Sequence, residues 1–483
     1  MEGPARTSRD SALLFAAFLA LCVSWLAVLP AFAGPDEPSN FIKAAAIIRG
    51  DFVGTPIPPD PFHVLWSTYV DIDPRFGTAQ QVPYCYSGNP TKPAACAPPM
   101  ETLPVKEPTR TQMGRYPLVG FLPASIGTLL GPSSTGALAA RTTSAIGCCA
   151  FLCLAGWLLI RTRRSLAPLF IAVTPGVMFL SSVDSPSGFE ICAAIAAWVA
   201  AWCCISDGWN RRDSTAVFAI SSGALVLARP AGLVTLGVMV LASLIADWRG
   251  LLRGLTRHVV PWAGLGCAAA GTVAWYLAVY DDNLGTKFEL DYRVTSFGDI
   301  FRRTLSDLPL HFANSVGNFG WLDTPSPTLV VWLGVCTTAG FTWHALRQAS
   351  RAQRIAIAAV MASVPVWATS LNASYQDLIG QFGVQGRHLT PLIVGAPLAV
   401  VAFRRPQRTD LPITFLSLGA HMWCVFVAMR RYVRGVADPS WFSFLHLPVW
   451  IPPLGIAGTV TAVIVAHAAA GFLLARVVGR MER

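Results

Sequence analysis

The chain has 483 residues, of which 53% are hydrophobic and only 13% charged, and its mean hydropathy is +0.51. That composition excludes a soluble globular protein and calls for a bilayer as solvent. The formal charge of +10 rests on 32 Arg and 4 Lys against 26 acidic residues, and the basic residues form short clusters between apolar runs, which signals membrane topology and argues against a nucleic-acid partner.

The first apolar run, Ser11 to Ala33, follows Arg6 and Arg9. It is long for a cleaved signal peptide, so residues 1–33 are expected to be a cytoplasmic N-terminus and a retained first span. Residues 34–137 read as a large extracytoplasmic loop. It opens with Gly34-Pro35-Asp36-Glu37-Pro38-Ser39-Asn40-Phe41. Two adjacent carboxylates at a fixed helix exit can supply a general base and a partner that orients substrate or metal. The alternative is capping of the helix that Pro38 would start. Further along, Cys85 and Cys96 are the two cysteines of twelve that fall outside the expected spans. A short loop in an oxidising compartment predicts a bridge between them. The apolar stretch Tyr116 to Leu130 is read as an interfacial helix, because counting it as a span would turn Arg161 to Arg164 outward.

Residues 138–280 hold expected spans two to seven, near 138–160, 167–183, 187–206, 214–228, 231–246 and 258–280. Two polar breaks interrupt them. Asp184-Ser185-Pro186-Ser187-Gly188-Phe189-Glu190 is a tight outer hairpin, in which Asp184 or Ser187 could cap the next helix and Glu190 could bind a sugar hydroxyl or pair with an Arg. Arg229-Pro230 is the second break, where the Arg could snorkel to headgroups or hold a lipid phosphate. Residues 281–326 form another outer loop, beginning with Asp281-Asp282-Asn283, which resembles a cation-ligand cluster only loosely.

Residues 327–483 carry spans eight to twelve, near 327–346, 355–371, 389–403, 411–429 and 452–475, and a cytoplasmic tail. Span ten is entered through Gln385-Gly386-Arg387-His388-Leu389-Thr390-Pro391. Arg387 offers a planar fork for phosphate oxygens, Gly386 would let a phosphate approach the backbone, and His388 could donate a hydrogen bond. With twelve spans every inner connection is basic, from Arg161-Thr162-Arg163-Arg164 to the tail after Arg476. The exception is Arg430, Arg431 and Arg434 at an outer helix end, which either bind phosphate groups or show that the last two spans are misplaced.

In their order along the chain, Gly34 to Phe41, Tyr116-Pro117-Leu118, Asp184 to Glu190, Arg229-Pro230 and Gln385 to Pro391 resemble a bacterial family of multispanning membrane proteins of unknown function, grouped with the GT-C type glycosyltransferases. A second Pro expected after Pro117 is replaced by Leu118. The resemblance implies an all-α polytopic fold of about twelve transmembrane helices, with interfacial helices in a large first outer loop and a catalytic carboxylate early in it. That carboxylate falls on Asp36 or Glu37. It also implies transfer of a sugar from a polyprenyl-phosphate carrier to a glycan, lipid or protein acceptor at the outer face of the bacterial plasma membrane. Arg387, with His388, Gln385, Arg229, Asp184 and Glu190, would line the donor site. Asp36 and Glu37 leave room for a divalent metal, Mg or Mn, without requiring one. The competing readings are a transporter or flippase of a lipid-linked or anionic precursor, and a non-catalytic component of envelope polysaccharide assembly. Clustering of ionisable residues at helix ends, and not deep in several spans, favours surface chemistry.

Overall fold

The computed structural model describes residues 4–57, 67–106, 108–280, 294, 296–438 and 440–482. Helix α1 (Pro4–Val28) is followed by α2 (Glu37–Ile48) and by a small antiparallel sheet of β1 (Thr55–Ile57), β2 (Ser67–Tyr69) and β3 (Arg110–Thr111). Thr68 of β2 pairs with Pro56 on one side and Thr111 on the other. A 3-10 run, Pro74–Cys85, lies between β2 and β3. Then come α3 (Leu122–Gly127), α4 (Ser134–Arg161), α5 (Ala167–Ala172), α6 (Pro175–Ser181), α7 (Pro186–Ser206), α8 (Arg212–Ala228), α9 (Ala231–Arg257) and α10 (Val259–Tyr280). After α11 (Phe297–Val316) the hairpin β4 (Asn318–Phe319) and β5 (Thr324–Pro325) leads to α12 (Thr328–Gln348), α13 (Arg351–Ile379), α14 (Gly386–Ile393) and α15 (Gly395–Leu398). The chain ends with α16 (Asp410–Arg434), α17 (Ser443–His446) and α18 (Gly455–Met481).

The protein is an all-α polytopic membrane protein, with two small sheets added outside the spans. Among the described residues nine helices, not twelve, are long and apolar enough to cross a membrane: α1, α4, α7, α9, α10, α12, α13, α16 and α18. The other three expected runs do exist as shorter helices. One of them, α8, has 17 residues. The second is split into α5 and α6, because Pro175 removes a backbone donor and Val173 and Thr174 leave the helix. The third is α14, α15 and a 3-10 turn to Ala402, containing Pro391 and Pro397. The first span ends at Val28, short of Ala33, where Pro30 and the left-handed Phe32 (φ 58°) turn the chain. The stretch 116–130 is a short broken helix lying against α4.

Broken helices at membrane depth expose carbonyls that have no water to turn to. Helix α7, buried along its whole span, supplies two of the donors. The Trp198 indole N–H reaches Pro391 O at 2.8 Å and that of Trp202 reaches Gly395 O at 2.9 Å. Arg164 takes the carbonyls of Val401 and Ala402 at 2.7 and 2.8 Å. At the other break the His421 ring meets Val173 O at 2.8 Å. These bonds draw α7, α14 and α16 around one core. One end of the bundle is tied by Arg164–Asp207 (2.8 Å), Arg404–Asp410 (2.7 Å) and Arg480–Asp10 (2.5 Å). The acidic motif and its partners lie at the other.

Candidate active site

Asp36 and Glu37 are neighbours in sequence with opposite surroundings. Gly34 lets the chain before them pass close against Val183, since a Cβ there would lie 2.8 Å from the Val183 side chain. Asp36 then sits in the left-handed region (φ 60°), strain that Asp tolerates better than most residues. Glu37 points inward and is 1% exposed. Its Oε1 accepts from Arg141 Nε (2.5 Å) and the Asp184 amide (3.1 Å). Its Oε2 accepts from the Gly34 amide and from the Arg141 terminal nitrogen, both at 2.8 Å. With both oxygens doubly engaged, Glu37 is a strut between α1, α4 and α7. The expectation that it serves as a second reacting or metal-binding carboxylate is corrected by this geometry. Arg141 was the missed partner; its signal was a lone charge inside the apolar run of α4, which needs a counter-ion.

Asp36 points the other way. Its side chain is 38% exposed, and Oδ2 accepts from Arg387 at 2.6 Å across 351 positions of sequence. Arg387 opens α14. The preceding Gly386 is there for packing and not for phosphate: a Cβ would lie 2.6 Å from the Asn314 carbonyl carbon. Gln385 stands at the N-cap position of α14, and the buried His388 accepts the Gln385 amide on Nδ1 at 3.3 Å. Of the two residues expected as substrate ligands, His388 is thus engaged on Nδ1 in starting the helix, whereas the Gln385 side chain keeps a buried Oε1 with no hydrogen-bond partner. The His388 ring also stacks on Tyr375 of α13 at 6.5 Å.

Beside this pair lies a second. Arg229, where α8 gives way to α9, donates to Ser187 Oγ at 2.9 Å and Glu190 Oε2 at 3.2 Å, and lies over the Tyr116 ring at 5.5 Å. Arg229 and Arg387 both bear electrostatically on Tyr375 and on His388. The motifs near 36, 190, 229 and 387 therefore converge. Buried Nε atoms of both Arg residues and Oε1 of Glu190 have no protein partner, a costly state that a ligand can relieve. Asp184 is apart from this group. Its backbone binds Glu37 and Asn40, and burial, reinforced by the Glu37 charge, pushes its carboxyl well above the usual carboxylate range.

Two spaces adjoin the Asp36–Arg387 pair, and a third lies further off. On the Asp36 side is a polar cavity of about 230 Å³ under the 34–137 segment. On the Arg387 side is a cleft lined by Val177, Leu180, Ile191, Asn314 and Thr390. Beyond Thr174–Gly176 and Ser315–Val316 an apolar groove runs between α5, α12 and α16. The acidic pair does not fit a Mg or Mn ion, because Glu37 is saturated and Asp36 is engaged by a cation; among the described residues no group of three or more His, Cys, Asp or Glu is placed to hold one. Asp281, Asp282 and Asn283 lie outside the described residues.

Arg430, Arg431 and Arg434, at the C-terminal end of α16, each find a partner within the chain. Arg431 is buried against Asp323 (2.7 Å), and Arg434 pairs with Asp438 (2.5 Å) while Arg430 bonds the Asp438 carbonyl. The loop that Arg431 also holds carries the disulfide Cys85–Cys96, with the two Cα atoms 6.0 Å apart.

A family model described as predicted membrane protein (DUF2142) matches residues 19–396. No curated protein matches the sequence. Among solved structures the chain is similar to ArnT from Cupriavidus metallidurans in the apo state, with a TM-score of 0.49, 15% identity and coverage of 99% of this chain and 77% of that one. It is also similar to the same protein bound to undecaprenyl phosphate, with a TM-score of 0.46, 14% identity and coverage of 98% and 76%.

Proposed function

The chain belongs to the DUF2142 family of predicted membrane proteins, and we propose that it is a GT-C type glycosyltransferase that moves a sugar from a polyprenyl-phosphate carrier to a cell-envelope acceptor at the outer membrane face. One observation carries the reading: the Asp36–Arg387 pair stands between a polar cavity and a cleft, with an apolar groove on the far side of Pro175–Gly176 and Ser315–Val316. A lipid-phosphate sugar needs all three environments in that order.

In the proposed displacement the acceptor hydroxyl gives its proton to Asp36 and its oxygen attacks the anomeric carbon. The bond from that carbon to the phosphate oxygen breaks, and the electron pair leaves on the carrier phosphate. Arg387 meets the developing charge with its unpartnered Nε while a terminal nitrogen stays near Asp36; a fork of five donors can serve both anions. Arg229 adds a second positive charge, held in place by Glu190 and Ser187. The carrier chain lies in the groove among α5, α12 and α16.

The test compares envelope glycans and glycolipids by mass spectrometry in a deletion strain carrying wild type or Asp36→Asn at matched membrane levels. A sugar lost on deletion should return with wild type and stay at least about a hundredfold lower with Asp36→Asn, the scale of a missing general base. Full restoration by Asp36→Asn removes the base and moves a transport or scaffolding role ahead.

A further inference from the structure

The polar cavity beside Asp36 has a chemistry of its own. Its floor is fixed: Gln80 Nε2 donates to Ser39 Oγ at 2.9 Å, and Thr111 of β3 donates to the Ser39 carbonyl at 2.7 Å. Its wall includes Trp321, whose ring is held by an indole N–H bond to Phe32 O at 3.0 Å. Its mouth is formed by Tyr84, which is 67% exposed, and by the exposed Gln112. A lipid acceptor would need a long apolar trench, and this cavity has carboxamides, hydroxyls and two aromatic rings instead. A phosphate-rich acceptor would meet the Asp36 carboxylate with one cation, Arg110, at the rim. A neutral sugar ring fits better. Its C–H face stacks on an indole or phenol, and its vicinal hydroxyls match the paired donor and acceptor of a carboxamide. The size admits one ring, and the open mouth lets the remainder of a chain extend outward.

We infer that this cavity binds the terminal neutral sugar unit of a glycan, with Trp321 as stacking platform and Gln80 and Gln112 as hydroxyl ligands, and that this glycan is the acceptor whose hydroxyl faces Asp36. Calling it the acceptor rests on the glycosyltransferase reading; sugar binding itself does not.

The experiment applies the full-length protein in labelled nanodiscs to an array of neutral hexose, pentose and deoxyhexose oligosaccharides, with phosphorylated and sulfated glycans printed beside them. Wild type should retain at least one neutral series. Trp321→Ala should weaken it by roughly tenfold or more, the value of a lost aromatic face, while Trp321→Phe still binds. Size-exclusion profiles matched to wild type show that each variant is folded, and Gln112→Ala at the exposed mouth gives an independent variant expected to weaken binding. Absence of neutral-glycan binding, binding confined to charged glycans, or binding indifferent to both Trp321→Ala and Gln112→Ala overturns the inference. None of these outcomes touches the Asp36→Asn result in cells, so the two readings fail separately.

Discussion

Lys43 shows how far burial can move one residue from its ordinary chemistry. It lies on α2, outside the spans, fully covered, with its amine donating to the carbonyls of Phe52 and Gly114 and placed 6.0 Å over the Trp275 ring. Desolvation lowers its pKa from 10.5 to about 7, opposed by the charge of Asp51. Between those two values the unfolded chain holds a proton that the folded chain does not, so stability rises with pH through that window and is lowest below it. The slope is at most about 1.4 kcal/mol per pH unit. The melting temperature in detergent should therefore climb more from pH 7 to pH 9.5 in wild type than in Lys43→Met. Parallel profiles for the two proteins would show that Lys43 stays charged. The same scale explains why Asp36 and Glu37 were inseparable in the sequence. What divides them is the left-handed turn at Asp36 and the arrival of Arg141, and neither leaves a mark in the motif itself.

At the scale of elements, the end of α16 is a clamp. Arg431, with no exposed side-chain surface, pairs with Asp323 before β5 and donates to the carbonyls of Tyr86 (2.8 Å), Asn89 (3.1 Å) and Lys92 (2.6 Å). Arg431→Met would leave the Asp323 charge buried without its partner and strip a donor from three carbonyls, a loss of about 3–5 kcal/mol. The expected readout is a large fall in melting temperature together with new protease cleavage at residues 86–92; an unchanged melt and digest would mean that the disulfide alone holds this loop. Legibility differs sharply within this one element. The Cys85–Cys96 bridge could be read from the sequence because only those two cysteines stand outside the apolar runs. The role of Arg431 could not, because its partner Asp323 lies 108 positions earlier and only folding brings them together. Likewise the apolar runs of α5–α6 and α14–α15 were readable as membrane-embedded segments, but their breaks depend on donors supplied by Trp198, Trp202 and His421 from other helices.

Across the whole molecule, the segregation of charge gives the fold a direction. The Arg-rich connections at 161–164, 211–212, 249–257, 347–354 and 404–408 gather at one end of the bundle, and the Asp36–Arg387 site lies at the other. Positive connections stay on the cytoplasmic side of a membrane, so the site should open outward, where a carrier-linked sugar would meet an envelope glycan. Two exposed positions test this in intact cells, in a background with Cys267 and Cys336 replaced by Ala. Lys106→Cys, on the 34–137 segment, should react with a membrane-impermeant maleimide. Arg408→Cys, in the connection before α16, should react only after the membrane is opened. The reverse pattern would put the polar cavity in the cytoplasm and remove the envelope acceptor from its reach. Labelling of both positions from outside would mean that an apolar run between them fails to cross, and α8 and the α14–α15 segment, too short or too broken to meet the length of a full span, are where that failure would have to lie.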